Sequence, residues 1–297
     1  MKKFIAAGLA LCMAFMLAAC GASPSSTASQ AGSGTSAAAD GSAVTIKLGG
    51  IGPITGSTAV YGEAVMNGAQ IAVDEINASD SAVKFEYNFQ DDEGDAETAV
   101  NAYNILKDWG MQVLMGTVTT APCLAVISET EADNMFQITP SASSTDVIVP
   151  DNVFQVCFTD PNQGVSAADY IADNGLATKV AAIYDSSDAY SSGIYNAFAA
   201  EAEAKGLEIV CAEAFTADNK TDFRTQLQKA QSAGADLVFL PIYYQEAALI
   251  LTQADQLGYE PLFFGCDGMD GILALDNFDT ALAEGLMLMT PFNATSE

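Results

Sequence analysis

The chain reads as an α/β protein of two lobes, each a mostly parallel sheet flanked by helices. Three observations predict this. Short apolar runs of roughly four to six residues alternate with amphipathic stretches of roughly ten to fifteen, which is the rhythm of βαβ units. The first such unit, residues 46–77, passes from an apolar strand through a glycine-rich turn into a segment of helical periodicity. About nine strands are too many for one tight doubly wound sheet, and Asp160-Pro161 interrupts the series near its middle.

In the opening unit the strand ends at Gly49, Gly50, Gly52 and Pro53, and Ala64, Val65, Gly68, Ala69, Ile71, Ala72 and Ile76 then recur at three- and four-residue spacing. Ligands of open α/β sheets sit beyond the carboxyl ends of the strands, and this turn offers Thr55, Ser57, Thr58 and Tyr61. Residues 84–89 alternate as a half-buried strand with Phe85, Tyr87 and Phe89 on one face. Asp91, Asp92, Glu93 and Asp95 follow without the glycine and distal glutamate of an EF-hand loop. They suit the partial positive charge at the start of the next helix, 96–109, so no metal is expected. Strands at 112–115, 136–139 and 153–158 come next, with a helix at 121–134. After Asp160-Pro161 the pattern restarts with strands at 180–184, 208–212, 236–242, 262–264 and 286–290. Helices at 191–205, 222–233 and 246–257 separate them, and 281–284 forms a helical turn.

The 297 residues, half of them hydrophobic, suffice for one large or two ordinary domains. Acids outnumber bases 38 to 10, a formal net charge of −28, which repels phosphate backbones and excludes nucleic acid as a partner. It suits solubility in an extracellular setting. Histidine is absent, which removes Ser–His and Cys–His nucleophile pairs, His-ligated metals and His general bases. Cysteines at 12, 20, 123, 157, 211 and 266 include no CxxC, so zinc ribbons and thioredoxin-like chemistry have no support. Cys123, Cys157, Cys211 and Cys266 fall in or beside apolar elements and are expected as buried thiols, with two disulfides as the alternative. A Rossmann-type enzyme is the rival from another class. Gly50, Gly52 and Gly56 depart from the G-x-G-x-x-G spacing and Pro53 interrupts it, so no cofactor is expected.

Residues 1–19 have the form of a signal peptide, with Met1-Lys2-Lys3 ahead of an apolar run at 4–16 that is too short to anchor in a bilayer. Leu17-Ala18-Ala19-Cys20 resembles the bacterial lipobox, which implies acylation of Cys20 and a lipid attachment to the membrane. Residues 20–43 are nearly all Gly, Ala, Ser and Thr, the composition of a flexible tether with a reach of roughly 25 Å.

Polar groups gather after the strands. Thr55, Ser57 and Tyr61 follow the first, Thr117, Thr119 and Thr120 the third, and Ser141, Ala142, Ser143 and Ser144 the fourth. In the second half residues 185–190, ending at Tyr190, follow one strand, Tyr243 and Tyr244 another, and Asp267 a third. Hydroxyls and backbone amides of the first half would hold a carboxylate, each charge-assisted bond contributing about 1.5–3 kcal/mol. Asp267 would take an ammonium, and the tyrosines would cover an apolar part or face the cation. Helix capping is the competing role for each hydroxyl and for Asp267.

These blocks carry a resemblance. Residues 52–61 with the helix after them, Gln90-Asp91-Asp92, 116–120, 138–143, 159–164, 184–190 and 265–268 resemble the type I solute-binding proteins of ABC transporters, specifically the branched-chain amino acid (Leu/Ile/Val) family. The resemblance covers residues 44–297 and implies a two-lobed type I periplasmic-binding-protein fold with lobes at 44–159 and 160–290, hinged near Asp160 and Pro291. It implies a monomeric, non-enzymatic, extracytoplasmic protein that captures an amino acid, branched-chain or aliphatic, and delivers it to a permease. The alternative ligands are another small carboxylate, an amide or a short peptide. Thr120 and Ser143 match the family's carboxylate-binding hydroxyls, with Thr119, Ser141 and Ala142 beside them. Asp267 stands where the family has an acid, often glutamate, for the amine, and Tyr61, Tyr190 and Tyr243 match aromatic positions of the cleft. The family's chain returns to the first lobe after the position of Pro291, so 291–297 is expected to begin a return whose later elements are missing.

Overall fold

Two five-stranded parallel sheets carry the fold in the computed structural model, which describes residues 43–291. The signal peptide at 1–19, Cys20, the tether up to residue 42 and the segment 292–297 lie outside the described residues.

In the first sheet β1 (Val44–Gly52), β2 (Val83–Asp91), β3 (Val113–Gly116), β4 (Gln137–Thr139) and β5 (Val153–Gln155) lie in the order β2-β1-β3-β4-β5. Helices α1 (Ala59–Ala78), α2 (Ala96–Trp109) and α3 (Thr120–Asp133) connect the first four strands. The second sheet runs β10-β9-β8-β6-β7. Its strands are β6 (Lys179–Asp185), β7 (Glu208–Phe215), β8 (Leu237–Leu240), β9 (Leu262–Gly265) and β10 (Met287–Leu288). Helices α4 (Asp160–Asp173), α5 (Ala189–Lys205), α6 (Arg224–Ala233) and α7 (Tyr244–Leu257) cover it. In each sheet the second strand pairs on one side of the first and the third on the other. Each lobe therefore has its own topological switch point, between β1 and β3 and between β6 and β8.

The apolar runs form strands because both faces of the sheet are covered. Val180, Ala181, Ala182 and Ile183 of β6 and all four residues of β8 are 0 % exposed, as expected of a parallel sheet between helix layers. Helix ends are fixed locally. Asp95 accepts the Thr98 N–H to cap α2, and Gly110, Gly206, Gly234 and Gly258 terminate helices in the left-handed region.

Several elements differ from the sequence reading. The glycines at 49, 50 and 52 continue β1 instead of ending it. A Cβ would stand 2.1 Å from Met111 Sδ at Gly49, 2.3 Å from Phe89 at Gly50 and 2.4 Å from Val118 at Gly52. Side chains of neighbouring elements fill the space these glycines leave. Helix α4 occupies a stretch that the sequence showed only as a break. Pro161 falls in its first turn, where a missing N–H costs nothing, and Thr159 caps it through the Asn162 N–H at 3.4 Å. Strand β5 stops at Gln155 because its one partner, β4, stops at Thr139.

Candidate functional site

The carboxyl ends of the two sheets face a common cavity of about 210 Å³. From the first lobe it is lined by Tyr61 on α1, Val118, Thr119 and Thr120 after β3, and Ser141 and Ser143 after β4. From the second come Tyr190 on α5, Tyr243 after β8, and Asp267, Gly268 and Asp270 after β9, with Thr290 and Pro291 beyond β10. Eight of the nine residues expected from the sequence meet here. Ala142 does not line the cavity. It is 1 % exposed, its N–H donates to Thr139 Oγ1 at 3.0 Å, and its carbonyl accepts from Gln155 Nε2, so its backbone has no group left to offer.

Other hydroxyls on the rim are also committed. Thr55 Oγ1 donates to Asp91 Oδ2 at 2.6 Å, and Asp91 Oδ1 accepts from the Ile54 and Glu93 N–H groups at 2.9 Å. Asp91 thus ties the β1–α1 turn, and Asp95 caps α2. Among the described residues no group of three or more His, Cys, Asp or Glu side chains could hold a metal. Ser141 Oγ donates to the Val118 carbonyl at 2.6 Å.

The threonines are different. Thr119 and Thr120 are 8 % and 1 % exposed, and the Oγ1 of each has no partner. Thr119 is the residue before α3, yet its side chain makes no capping bond. Two buried hydroxyls beside the unpaired N–H groups of a helix start make a place for an anionic oxygen.

The opposite wall is built around Asp267. Tyr190 Oη donates to Asp267 Oδ1 at 2.6 Å and accepts the Gly268 N–H at 2.9 Å, while the Asp267 N–H donates to Gln163 Oε1 at 3.1 Å. Burial pushes the Asp267 carboxyl up, and the bonds from Tyr190 and Gln163 pull against that. Burial, with Asp267 adding to it, also raises the hydroxyls of Tyr61 and Tyr190 well above the ordinary tyrosine range. Both are neutral donors. The tyrosines form a continuous wall. Tyr190 stacks on Tyr243 with centroids 4.8 Å apart, and Tyr61 lies 6.1 Å from Tyr243. Tyr61 Oη donates to the Gly268 carbonyl, a hydrogen bond from the first lobe to the second.

Sequence reasoning missed a buried group near this wall. Asp160, 1 % exposed, has neither carboxylate oxygen hydrogen-bonded, and burial, with Asp267 adding to it, pushes it up to about 7. Both Asp160 and Gln163 lie on helix α4, which the sequence did not reveal. Cys123, Cys157, Cys211 and Cys266 are all free thiols, the first and last buried.

A sequence profile described as periplasmic binding protein matches residues 45–297. The chain belongs to the periplasmic binding protein family. This binding protein is 32 % identical to the Leu/Ile/Val-binding protein homolog 3 of Brucella melitensis over 75 % of its own length and 61 % of that protein's. It is 32 % identical to the Leu/Ile/Val-binding protein BraC3 of Rhizobium johnstonii, with 75 % and 62 % covered. It thus spans about three-fifths of the length of these curated relatives. Among solved structures, the leucine-binding protein of Thermotoga maritima matches with a TM-score of 0.75 and 28 % identity, covering 85 % of this chain and 72 % of that one. The branched-chain amino acid transporter substrate-binding protein of Streptococcus pneumoniae, solved with isoleucine, matches with a TM-score of 0.75 and 27 % identity, covering 85 % and 73 %. The likeness extends over both sheets, as the fold class read from the sequence requires.

Proposed function

We propose that the protein is the extracytoplasmic solute-binding component of an ABC importer and that its interlobe cavity holds an amino acid, branched-chain or aliphatic. One observation carries the reading. Unpartnered hydroxyls of Thr119 and Thr120 stand on one lobe, and the carboxylate of Asp267 stands on the other, across a cavity sized for a single small molecule. A zwitterion answers both walls at once. Its carboxylate takes the hydroxyls and the N–H groups at the start of α3, with Ser143 close by, and its ammonium takes Asp267. Tyr61, Tyr190 and Tyr243 cover the aliphatic part. Micromolar affinity requires about 8 kcal/mol, and two charge-assisted ends plus apolar burial supply that after ordering costs.

In this reading the lobes are residues 44–159 and 160–290, and closure brings Tyr61 to the Gly268 carbonyl. Cys20 carries the lipid that holds the protein at the membrane, residues 20–43 are the tether, and the closed form is delivered to a permease. No reaction is catalysed. The relatives named for leucine, isoleucine and valine support the ligand class.

The test is a thermal melt of the purified protein against the twenty amino acids and a set of carboxylates without an amine. A midpoint raised by leucine, isoleucine or valine is the expected result. A midpoint moved only by amine-free carboxylates overturns the amino acid reading and leaves the fold untouched.

A further inference from the structure

Helix α4 carries Asp160 and Gln163 three residues apart, and so on one face. Each is 1 % exposed, and neither lines the cavity. They are tied to its two opposite walls. The Asp160 N–H donates to the Ser143 carbonyl at 2.9 Å, and Gln163 Oε1 accepts the Asp267 N–H at 3.1 Å. The polar atoms left over are complementary. Gln163 Nε2 is a buried donor without an acceptor, and Asp160 Oδ1 and Oδ2 are buried acceptors without a donor. Folded proteins rarely leave such groups unsatisfied, because each forfeits its bonds to water. The helix opposite makes room for the carboxyl. Asp160 Oδ2 lies 3.3 Å from where a Cβ would stand on Gly193 of α5. Gly193 follows Tyr190 by three residues on α5, and Tyr190 Oη donates to Asp267 Oδ1. Asp160 therefore packs between the two helices that hold Asp267.

We propose that Asp160 is a positioning residue for the amine end of the site: its carboxyl accepts from Gln163 Nε2, directly or through one buried water, and so fixes the amide with its oxygen towards the Asp267 N–H. A reversed amide would set its NH2 against that N–H, donor against donor, and the Asp267 backbone would lose its bond. Asp267 is then held twice. Tyr190 on α5 orients the carboxylate, and Gln163 on α4 holds the backbone behind it, with Asp160 deciding which way the amide points. The inference rests on the amino acid reading of the cavity and adds to it a residue that touches no ligand.

Calorimetric titration with leucine, on the parent protein and four variants, tests this. Asp160→Leu and Gln163→Met are each expected to weaken binding about tenfold, roughly what one buried hydrogen bond is worth. The double variant carrying both is expected to bind as either single one does, because the two side chains act as a unit. Independent packing defects would instead multiply to about a hundredfold. Asp160→Asn keeps an acceptor for the amide and is expected to restore the parent's affinity. A cooperative ligand-free melt shows which variants are folded, and the folded ones carry the decision. Gln163→Met binding like the parent, losses that multiply, or Asp160→Asn binding as weakly as Asp160→Leu each overturn the positioning role and leave the amino acid reading standing. A parent protein that binds none of the twenty amino acids overturns both.

Discussion

Tyr190 Oη lies 2.6 Å from Asp267 Oδ1, and the same oxygen accepts the Gly268 N–H at 2.9 Å. One phenol therefore orients the carboxylate and also satisfies a buried backbone donor. Tyr190→Phe removes both functions. The orphaned Gly268 N–H costs about 1–3 kcal/mol, read as a lower denaturation midpoint. On the amino acid reading, affinity is expected to fall about tenfold as Asp267 loses the Tyr190 hydroxyl that orients it. An unchanged midpoint together with unchanged affinity would show that the pair carries neither load.

Asp267→Asn separates binding from folding. Burial raises the Asp267 carboxyl, so its negative charge opposes the folded state when no ligand is present. The ligand-free variant is expected to melt at the same temperature as the parent or higher. On the amino acid reading, its midpoint is expected no longer to rise with amino acid, since an ammonium would have lost its countercharge. A ligand-free midpoint well below the parent's would mean that Asp267 serves the fold.

The α/β rhythm was legible because β6 and β8 are apolar on both faces, a pattern that periodicity detects without tertiary information. Helix α4 was not. Its buried residues are Asp160, Gln163, Gly164, Ala167, Ala168 and Ile171, polar or small except for Ile171, so no apolar stripe marks the helix, and it opens on Asp160-Pro161, a pair that signals a break as readily as a first turn. With α4 went Gln163, which holds the Asp267 backbone. The glycines of β1 misled for a related reason, since the side chains that crowd them come from β2, the segment after α2 and the loop after β3. Most of the rim residues were legible, because ligands of open α/β sheets sit beyond the carboxyl ends of the strands and the blocks that carry the family resemblance fall there. Ala142 shows the limit. Whether a backbone amide is free depends on Thr139, and that is decided by the fold.

Stability is expected to fall as pH rises from about 5 to 8. Burial pushes Asp92 and Asp160 up to about 7 and Asp188 up to about 6, against about 3.9 in an unfolded chain. Over that window the folded chain holds protons that the unfolded chain has released, so the slope of unfolding free energy with pH is negative. The stabilising contribution is complete below about pH 4 and lost through pH 6 to 7. The net charge of −28 acts in the same direction through self-repulsion. Melts at pH 5 and pH 8 give the slope, and Asp160→Asn is expected to flatten it. A higher midpoint at pH 8 than at pH 5 would overturn the assignment.

Two glycine-to-alanine changes should have opposite signs. At Gly164 a Cβ would stand 2.4 Å from the Ile194 carbonyl oxygen and 2.6 Å from the Phe198 nitrogen, both backbone atoms of α5. Helices α4 and α5 would have to separate, opening the layer that buries Ile171, Ile194 and Phe198, at a cost of about 3 kcal/mol or more. At Gly68, in the middle of α1, nothing lies within 4 Å of the added carbon. Alanine there lowers the backbone entropy lost on folding and stabilises by about 0.5–1 kcal/mol. Chemical denaturation of the two variants reads both values, and a Gly164→Ala protein as stable as its parent would mean that the α4–α5 contact has room this geometry denies it.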